Sequence, residues 1–190
     1  MPLNPGLVSK CISGLWLIFL LYWIVHAFGN KRSTFKQSRS SRLLYLVITT
    51  GFVYAIVSIR QLRIPLVRTT LATQLAGIAL CASGIGIAIW ARRVLGTNWS
   101  GIVTLKEGHT LVRRGPYSLV RHPIYSGVLL AAAGSFLAVL PTLQGVICLC
   151  FLFVGLRLKS LFEEQVLSRQ FPDEYPQYRR EVKALVPYVY

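Results

Sequence analysis

Five apolar runs, each 17 to 20 residues long, constrain this chain more than any other feature. They are Cys11–Phe28, Leu43–Ile59, Leu71–Trp90, Ile124–Leu140 and Thr142–Leu158. A helix needs about 20 residues to cross the hydrocarbon, within a range near 17 to 25. Each run therefore predicts a membrane-spanning helix. The apolar residues are continuous and do not alternate, which excludes a transmembrane β-barrel. Charged residues make up 14% of the chain, against roughly 25% in a soluble domain. With 54% hydrophobic residues, a disordered chain is excluded as well. The predicted fold class is an all-α integral membrane protein with about five transmembrane helices in a single domain, residues 1–190. The first run has no small-x-small cleavage site after it, so it is expected to be a retained span.

The last two runs meet at Pro141, which predicts a helical hairpin turning at the far membrane face. Gly77, Gly84 and Gly86 on the third run, and Ala131-Ala132-Ala133-Gly134 on the fourth, are expected to let helix backbones approach closely. Cys11, Cys81, Cys148 and Cys150 all lie inside apolar runs. They form neither a disulfide framework nor zinc spacing, so no metal site is expected.

Five spans place the connections alternately on two sides. One side holds the N-terminus, the 60–70 connection and the Pro141 turn, with four basic residues. The other holds segments 29–42 and 91–123 and the C-terminal tail, with seventeen. The positive-inside rule makes that second side cytoplasmic and the N-terminus external. All six acidic residues lie there too. The net charge of +15 is read as basic loops facing anionic headgroups, with no nucleic-acid partner.

Chemistry-bearing residues concentrate after residue 95. Residues 1–90 carry three N-terminal spans, and 91–190 form the candidate catalytic part. In segment 97–123, Ile102–Leu105 is expected to be a short strand, with turns at Lys106-Glu107-Gly108 and Gly115-Pro116-Tyr117. A connection this long between membrane helices usually has a function. Past the fifth run come Arg157, Lys159, Glu163 and Glu164. Lys159 and Glu163 are four apart and share a helix face. Taken alone, they read as snorkelling cations and a solvated helix start.

His109-Thr110-Leu111-Val112, Gly115-Pro116-Tyr117 and Arg121-His122-Pro123-Ile124-Tyr125-Ser126-Gly127 occur in that order. Together with Glu163-Glu164, Phe171-Pro172-Asp173-Glu174-Tyr175, Tyr178 and Val186-Pro187, they resemble the isoprenylcysteine carboxyl methyltransferase family. Phospholipid N-methyltransferases are more distant kin. The resemblance covers roughly residues 90 to 188. It implies S-adenosylmethionine as cofactor, in a cytoplasmic pocket formed by the loop before span four and the C-terminal segment. By position, His109, Leu111, Val112, Tyr117, His122, Pro123 and Tyr125 would contact it. Arg121 or an imidazole would supply countercharge to its carboxylate. The acceptor would be a lipid-like or prenylated molecule from the bilayer.

In that family an Arg and a Glu at the reacting centre correspond to Lys159 and Glu163. Lys159 thus replaces an Arg, and Lys offers a carboxylate no bidentate fork. Arg157 is the candidate substitute. The expected catalytic residues are Glu163, Lys159 and Arg157, with Lys159, Glu163 and Glu164 on the acceptor side. Glu164, turned about 100° from Glu163 around the helix, serves as its comparison.

The implied reaction is carboxyl methylation of an isoprenylcysteine-like substrate. N-methylation of a phospholipid amine remains open. So does a reductase using NADPH, because sterol-reductase-like proteins also carry Arg-His-Pro followed by Tyr and Gly. They tend to read Asn-Tyr with an acidic residue after the Gly, where this chain has Ile124, Tyr125 and Val128.

Overall fold

A computed structural model describes residues 1–27, 39–96 and 111–188. Among these residues six helices follow one another: α1 (Pro5–Ala27), α2 (Arg39–Ser58), α3 (Leu71–Leu95), α4 (Pro123–Val139), α5 (Leu143–Gln170) and α6 (Glu174–Glu181). Single 3₁₀ turns occupy Arg60–Leu62 and Gly115–Ser118. Among the described residues there is no strand, only two isolated bridges. The predicted strand at Ile102–Leu105 and the predicted contact residue His109 lie outside the described residues.

Each of the five apolar runs becomes a helix, but the lengths differ from the prediction. Among the described residues, three helices, α1, α3 and α5, are long and apolar enough to cross a membrane. At 17 residues, α4 is shorter. The fifth apolar run ends at Leu158, yet α5 continues unbroken to Gln170. Lys159, Glu163 and Glu164 therefore ride on a rigid extension of the same helix. Large apolar side chains are exposed along these helices, among them Leu17, Ile18, Leu21, Val154, Leu158 and Phe162. Such an apolar exterior is what a bilayer solvates.

The helix ends follow local rules. Thr70 opens α3 with a capping box: its hydroxyl accepts from the Thr73 amide at 3.2 Å, and Thr73 Oγ1 accepts from the Thr70 amide at 2.8 Å. Pro123 occupies the first turn of α4, where its missing N–H leaves no helical bond unmade.

The closest packing is between antiparallel α3 and α4. A Cβ added at Gly77 would lie 2.6 Å from Gly134 O and Ala138 N. One added at Gly84 would collide with Gly127 O and Ala131 N. The four glycines thus pair as Gly77 with Gly134 and Gly84 with Gly127, seven residues apart on each helix. The predicted close approach is present at Gly77, Gly84, Ala131 and Gly134. Gly86 is different: nothing lies within 4 Å of a Cβ there, because two positions on from Gly84 the helix has turned away. α4 therefore buries its small-residue face on α3 rather than on its hairpin partner α5. α1 closes the core with Val8 and Ile12 against Cys81, Ile85, Ala131 and Ala138. Trp16 Nε1 donates to Ser135 Oγ at 3.0 Å.

Connections gather at the two ends of the bundle. At one end the Leu3 amide donates to Gln74 Oε1, Leu66 N to Pro141 O, and Leu143 N to Ile64 O. There Gln144 Nε2 also donates to the carbonyls of Ile56, Val57 and Ile59. At the opposite end, Arg92 Nη2 donates to His26 O at 3.0 Å. The C-terminal segment is docked at that end, against the start of α4.

Candidate active site

Two main-chain bonds bring the tail to the Arg-His-Pro segment. The Arg121 amide donates to Lys183 O at 2.8 Å, and the His122 amide to Ala184 O at 3.0 Å. Ser126 Oγ adds a bond to Leu185 O at 2.5 Å. His122 is the N-cap of α4, so its amide and that of Arg121 are free of helical partners and the tail takes them up. Gly115, at φ 62°, turns the chain ahead of this point close under α3; a Cβ there would sit 3.2 Å from Val94 Cγ2.

Around this junction the side chains form one polar cluster. Glu164 is 2% exposed and sits at its centre. Its Oε1 accepts from Arg121 Nη2 at 2.8 Å and Arg121 Nε at 3.3 Å, and faces His122 Nε2 at 3.2 Å. Arg157 Nη1 is 4.0 Å away. Among the described residues Glu164 Oε2 makes no hydrogen bond, although Arg179 Nε lies 3.5 Å from it. Ser160, wholly buried, accepts from Arg157 Nη1 at 3.0 Å and helps aim that guanidinium. Arg121 Nη1 donates to the carbonyls of Arg179, at 3.1 Å, and of Val182.

One helical position earlier, Glu163 faces a more open side. Tyr125 donates its phenol proton to Glu163 Oε1 at 2.5 Å, and His122 Nδ1 lies 3.5 Å from Oε2. The rings of His122 and Tyr125 are stacked, 5.5 Å apart and 6° from parallel. The Lys159 ammonium lies over the Tyr125 ring, 5.3 Å from its centroid. Both nitrogens of His122 thus face carboxylates. Burial opposes its charge, but the hydrogen bonds and charges of Glu163 and Glu164 outweigh that, and its pKa is raised.

Of the residues expected from sequence, Arg121, His122, Tyr125, Arg157, Lys159, Glu163 and Glu164 come together here. Pro123 and Tyr117 are buried beside them. Tyr117 O accepts from the Tyr178 phenol at 2.5 Å. Leu111 and Val112 are half-buried in the approach to this turn. Glu164 points inward, among cations, so it is no neutral comparison for Glu163. Burial raises the pKa of Tyr117, Tyr175 and Tyr178 and keeps the phenols neutral.

Sequence reasoning missed Arg179 and Ser160, and it carried Tyr175 and Tyr178 only as part of the resemblance, with no inward role. The tyrosines are three apart in an otherwise charged segment, a spacing that puts both on one face of a helix. That signal was available. Nothing local marks Ser160 or Arg179.

A cluster of this make-up, held between the start of α4 and the far end of α5, coincides with one region of detectable kinship. The family described as phospholipid methyltransferase matches residues 72–174, more than half of the chain. The chain belongs to that family. It is 33% identical over 125 residues to the protein-S-isoprenylcysteine O-methyltransferase of Saccharomyces cerevisiae, covering 63% of this chain and 52% of that protein. With protein-S-isoprenylcysteine O-methyltransferase B of Arabidopsis thaliana it shares 29% over 84 residues, 44% of this chain and 43% of that one. The chain spans about half the length of these relatives. In fold it is similar to the eukaryotic intramembrane Ras methyltransferase (isoprenylcysteine carboxyl methyltransferase), with a TM-score of 0.57 and 21% identity. That likeness covers 82% of this chain and 55% of the other.

Proposed function

We propose that this chain is an S-adenosylmethionine-dependent methyltransferase acting on a lipid-like acceptor at the cytoplasmic membrane face, with carboxyl methylation of an isoprenylcysteine-like substrate as its reaction. The observation that carries this reading is the single cluster joining Arg121-His122-Pro123-Ile124-Tyr125 to Arg157–Glu164. It contains Arg121, Arg157, Lys159 and Arg179 against Glu163 and Glu164. That excess of cations, at a junction of apolar helices, suits anionic groups. Family membership and the names of the relatives support it.

The donor set fits the proposed cofactor. A carboxylate needs cations, and beside the buried Arg121 the cluster holds Lys159, Arg157 and Arg179. A flat base needs aromatic or apolar faces, and Tyr125 offers one. When bound, S-adenosylmethionine supplies an electrophilic methyl on a sulfonium. The protein's part is to hold the acceptor near that methyl, at about 3 to 3.5 Å, and to exclude water. Arg121 is engaged by Glu164 and two carbonyls, so we assign it to holding the junction rather than to countercharge. Lys159 or Arg157 orients the acceptor anion. Glu163 positions the acceptor, or takes its proton if it is an amine.

A phospholipid amine is the second reading. Lys159 in place of the family's Arg favours it, because the fork that suits a carboxylate is lacking. The five-crossing topology, with the N-terminus outside, rests on the basic asymmetry of four against seventeen. Reporters fused after Leu66 and at the C-terminus test it: a cytoplasmic signal at Leu66 would overturn the orientation.

The enzymatic test is methyl transfer by purified protein to a prenylated cysteine analogue and to phosphatidylethanolamine. Cofactor binding is followed by calorimetry. Glu163→Gln is expected to lower turnover roughly 10²-fold while cofactor binding persists. Exposed Glu181, on α6, replaces Glu164 as the control, and Glu181→Gln should leave turnover unchanged. Full activity in Glu163→Gln sinks its assigned role. Absence of cofactor binding in the unmodified chain sinks the methyltransferase reading.

A further inference from the structure

Glu163 and Glu164 are neighbours in sequence and opposites in environment. The Glu163 side chain is 21% exposed, and Glu164's is 3%. The groups facing Glu164 come from three places: Arg121 and His122 ahead of α4, Arg157 on α5, and Arg179 on α6. No acceptor from the bilayer reaches a carboxylate so enclosed. What Glu164 does touch is the far nitrogen of the ring whose near nitrogen faces Glu163. The polar groups thus run in one line: Arg121 and Arg179, then Glu164, His122, Glu163 and the Tyr125 phenol.

We propose that Glu164 is a positioning residue: anchored by Arg121 and Arg179, it fixes the His122 ring, which in turn sets the Glu163 carboxylate toward the open side of the site. The inference rests on the methyltransferase reading for what Glu163 does, and on geometry alone for what Glu164 does to His122. A carboxylate on each nitrogen leaves the ring one orientation in which both N–H groups donate. Without Glu164, the ring can flip or lose its outer proton, and Glu163 keeps only the Tyr125 phenol. A misplacement of about 1 Å at a reacting centre lowers turnover by about 10²-fold.

The test uses the full chain in detergent with isotope-labelled histidine. There are three histidines, and the His122 signal is identified by its loss in His122→Asn. In Glu164→Gln the His122 ring is expected to titrate at lower pH than in the unmodified chain. Turnover should fall about 10²-fold, with the acceptor KM within about twofold. Glu164→Asp keeps the charge and should recover part of both. It also carries the same measurements if the glutamine variant does not fold. A purely scaffolding Glu164 would lower the melting temperature and leave the histidine titration and the turnover of folded protein unchanged; that result overturns the proposal. An unmoved His122 titration overturns it whatever the enzyme transfers. A shifted titration in a chain that binds no S-adenosylmethionine overturns the methyltransferase reading instead, and with it only the step from His122 to Glu163.

Discussion

Between α3 and α4 the helices meet through hydrogens and methyl groups, with Gly77 and Gly84 seated on Gly134 and Gly127. At the start of α4 they meet the rest of the molecule through three guanidinium groups, an ammonium, an imidazole and two carboxylates. The first contact is made by shape and excludes everything. The second is made by charge and leaves lone pairs over, such as Glu164 Oε2. In lipid there is no hydrophobic drive between helices, so close backbone approach and polar pairing are the two means of association left. This chain keeps them apart. The close-packed seam fixes α4 against α3, and the charged groups are gathered at its start.

Four outcomes would break or sharpen that contrast. The largest is expected from Arg121→Leu. It leaves Glu164 with the His122 ring and the more distant Arg157 and Arg179, and breaking one partner of a buried pair is destabilising by about 3 to 5 kcal/mol. Denaturation in mixed micelles measures it; a loss below about 1 kcal/mol would mean that the junction is solvated and loose. Next comes Gly84→Val, which drives side-chain atoms into the backbone of α4. Overpacking of this kind is destabilising by about 1 to 3 kcal/mol. Unchanged stability there would show that the seam is not close-packed.

The third outcome is a pH dependence confined to the junction. His122 has a raised pKa in the folded chain, so its charged form is favoured by folding. The stability it contributes is full below the ordinary histidine pKa and is lost as pH rises through the raised value. Melting temperatures of the unmodified chain and of His122→Asn should therefore converge as pH rises through that window. A constant gap would refute the pairing with Glu163 and Glu164. The smallest effect belongs to Gly86→Ala. It meets open space, and replacing a helical glycine by alanine should alter stability by no more than about 1 kcal/mol, toward gain. A loss would place a further helix against that face.

The seam was legible because it repeats locally. Glycines seven apart and a run of alanines are visible in one dimension, and helical geometry turns them into a stripe. Gly86 was misjudged by the same logic: it is close to Gly84 in sequence but on another face. The length of α5 was not legible from hydropathy, which stops where polar residues begin. Helical hydrogen bonds do not stop there, so the helix carries Lys159, Glu163 and Glu164 outward.

What the sequence determined by itself was the helical class, the apolar runs, and the residue types near which chemistry would be found. These follow from backbone hydrogen bonding in lipid and from motif order, both properties of short stretches. Which of two adjacent glutamates is enclosed was decided only in three dimensions. Glu164 is buried because Arg121 lies 43 residues earlier in the chain and Arg179 follows on another helix, and both converge on it. Coulomb interactions act across space without regard to sequence separation. The assignment of Glu164 therefore required the fold.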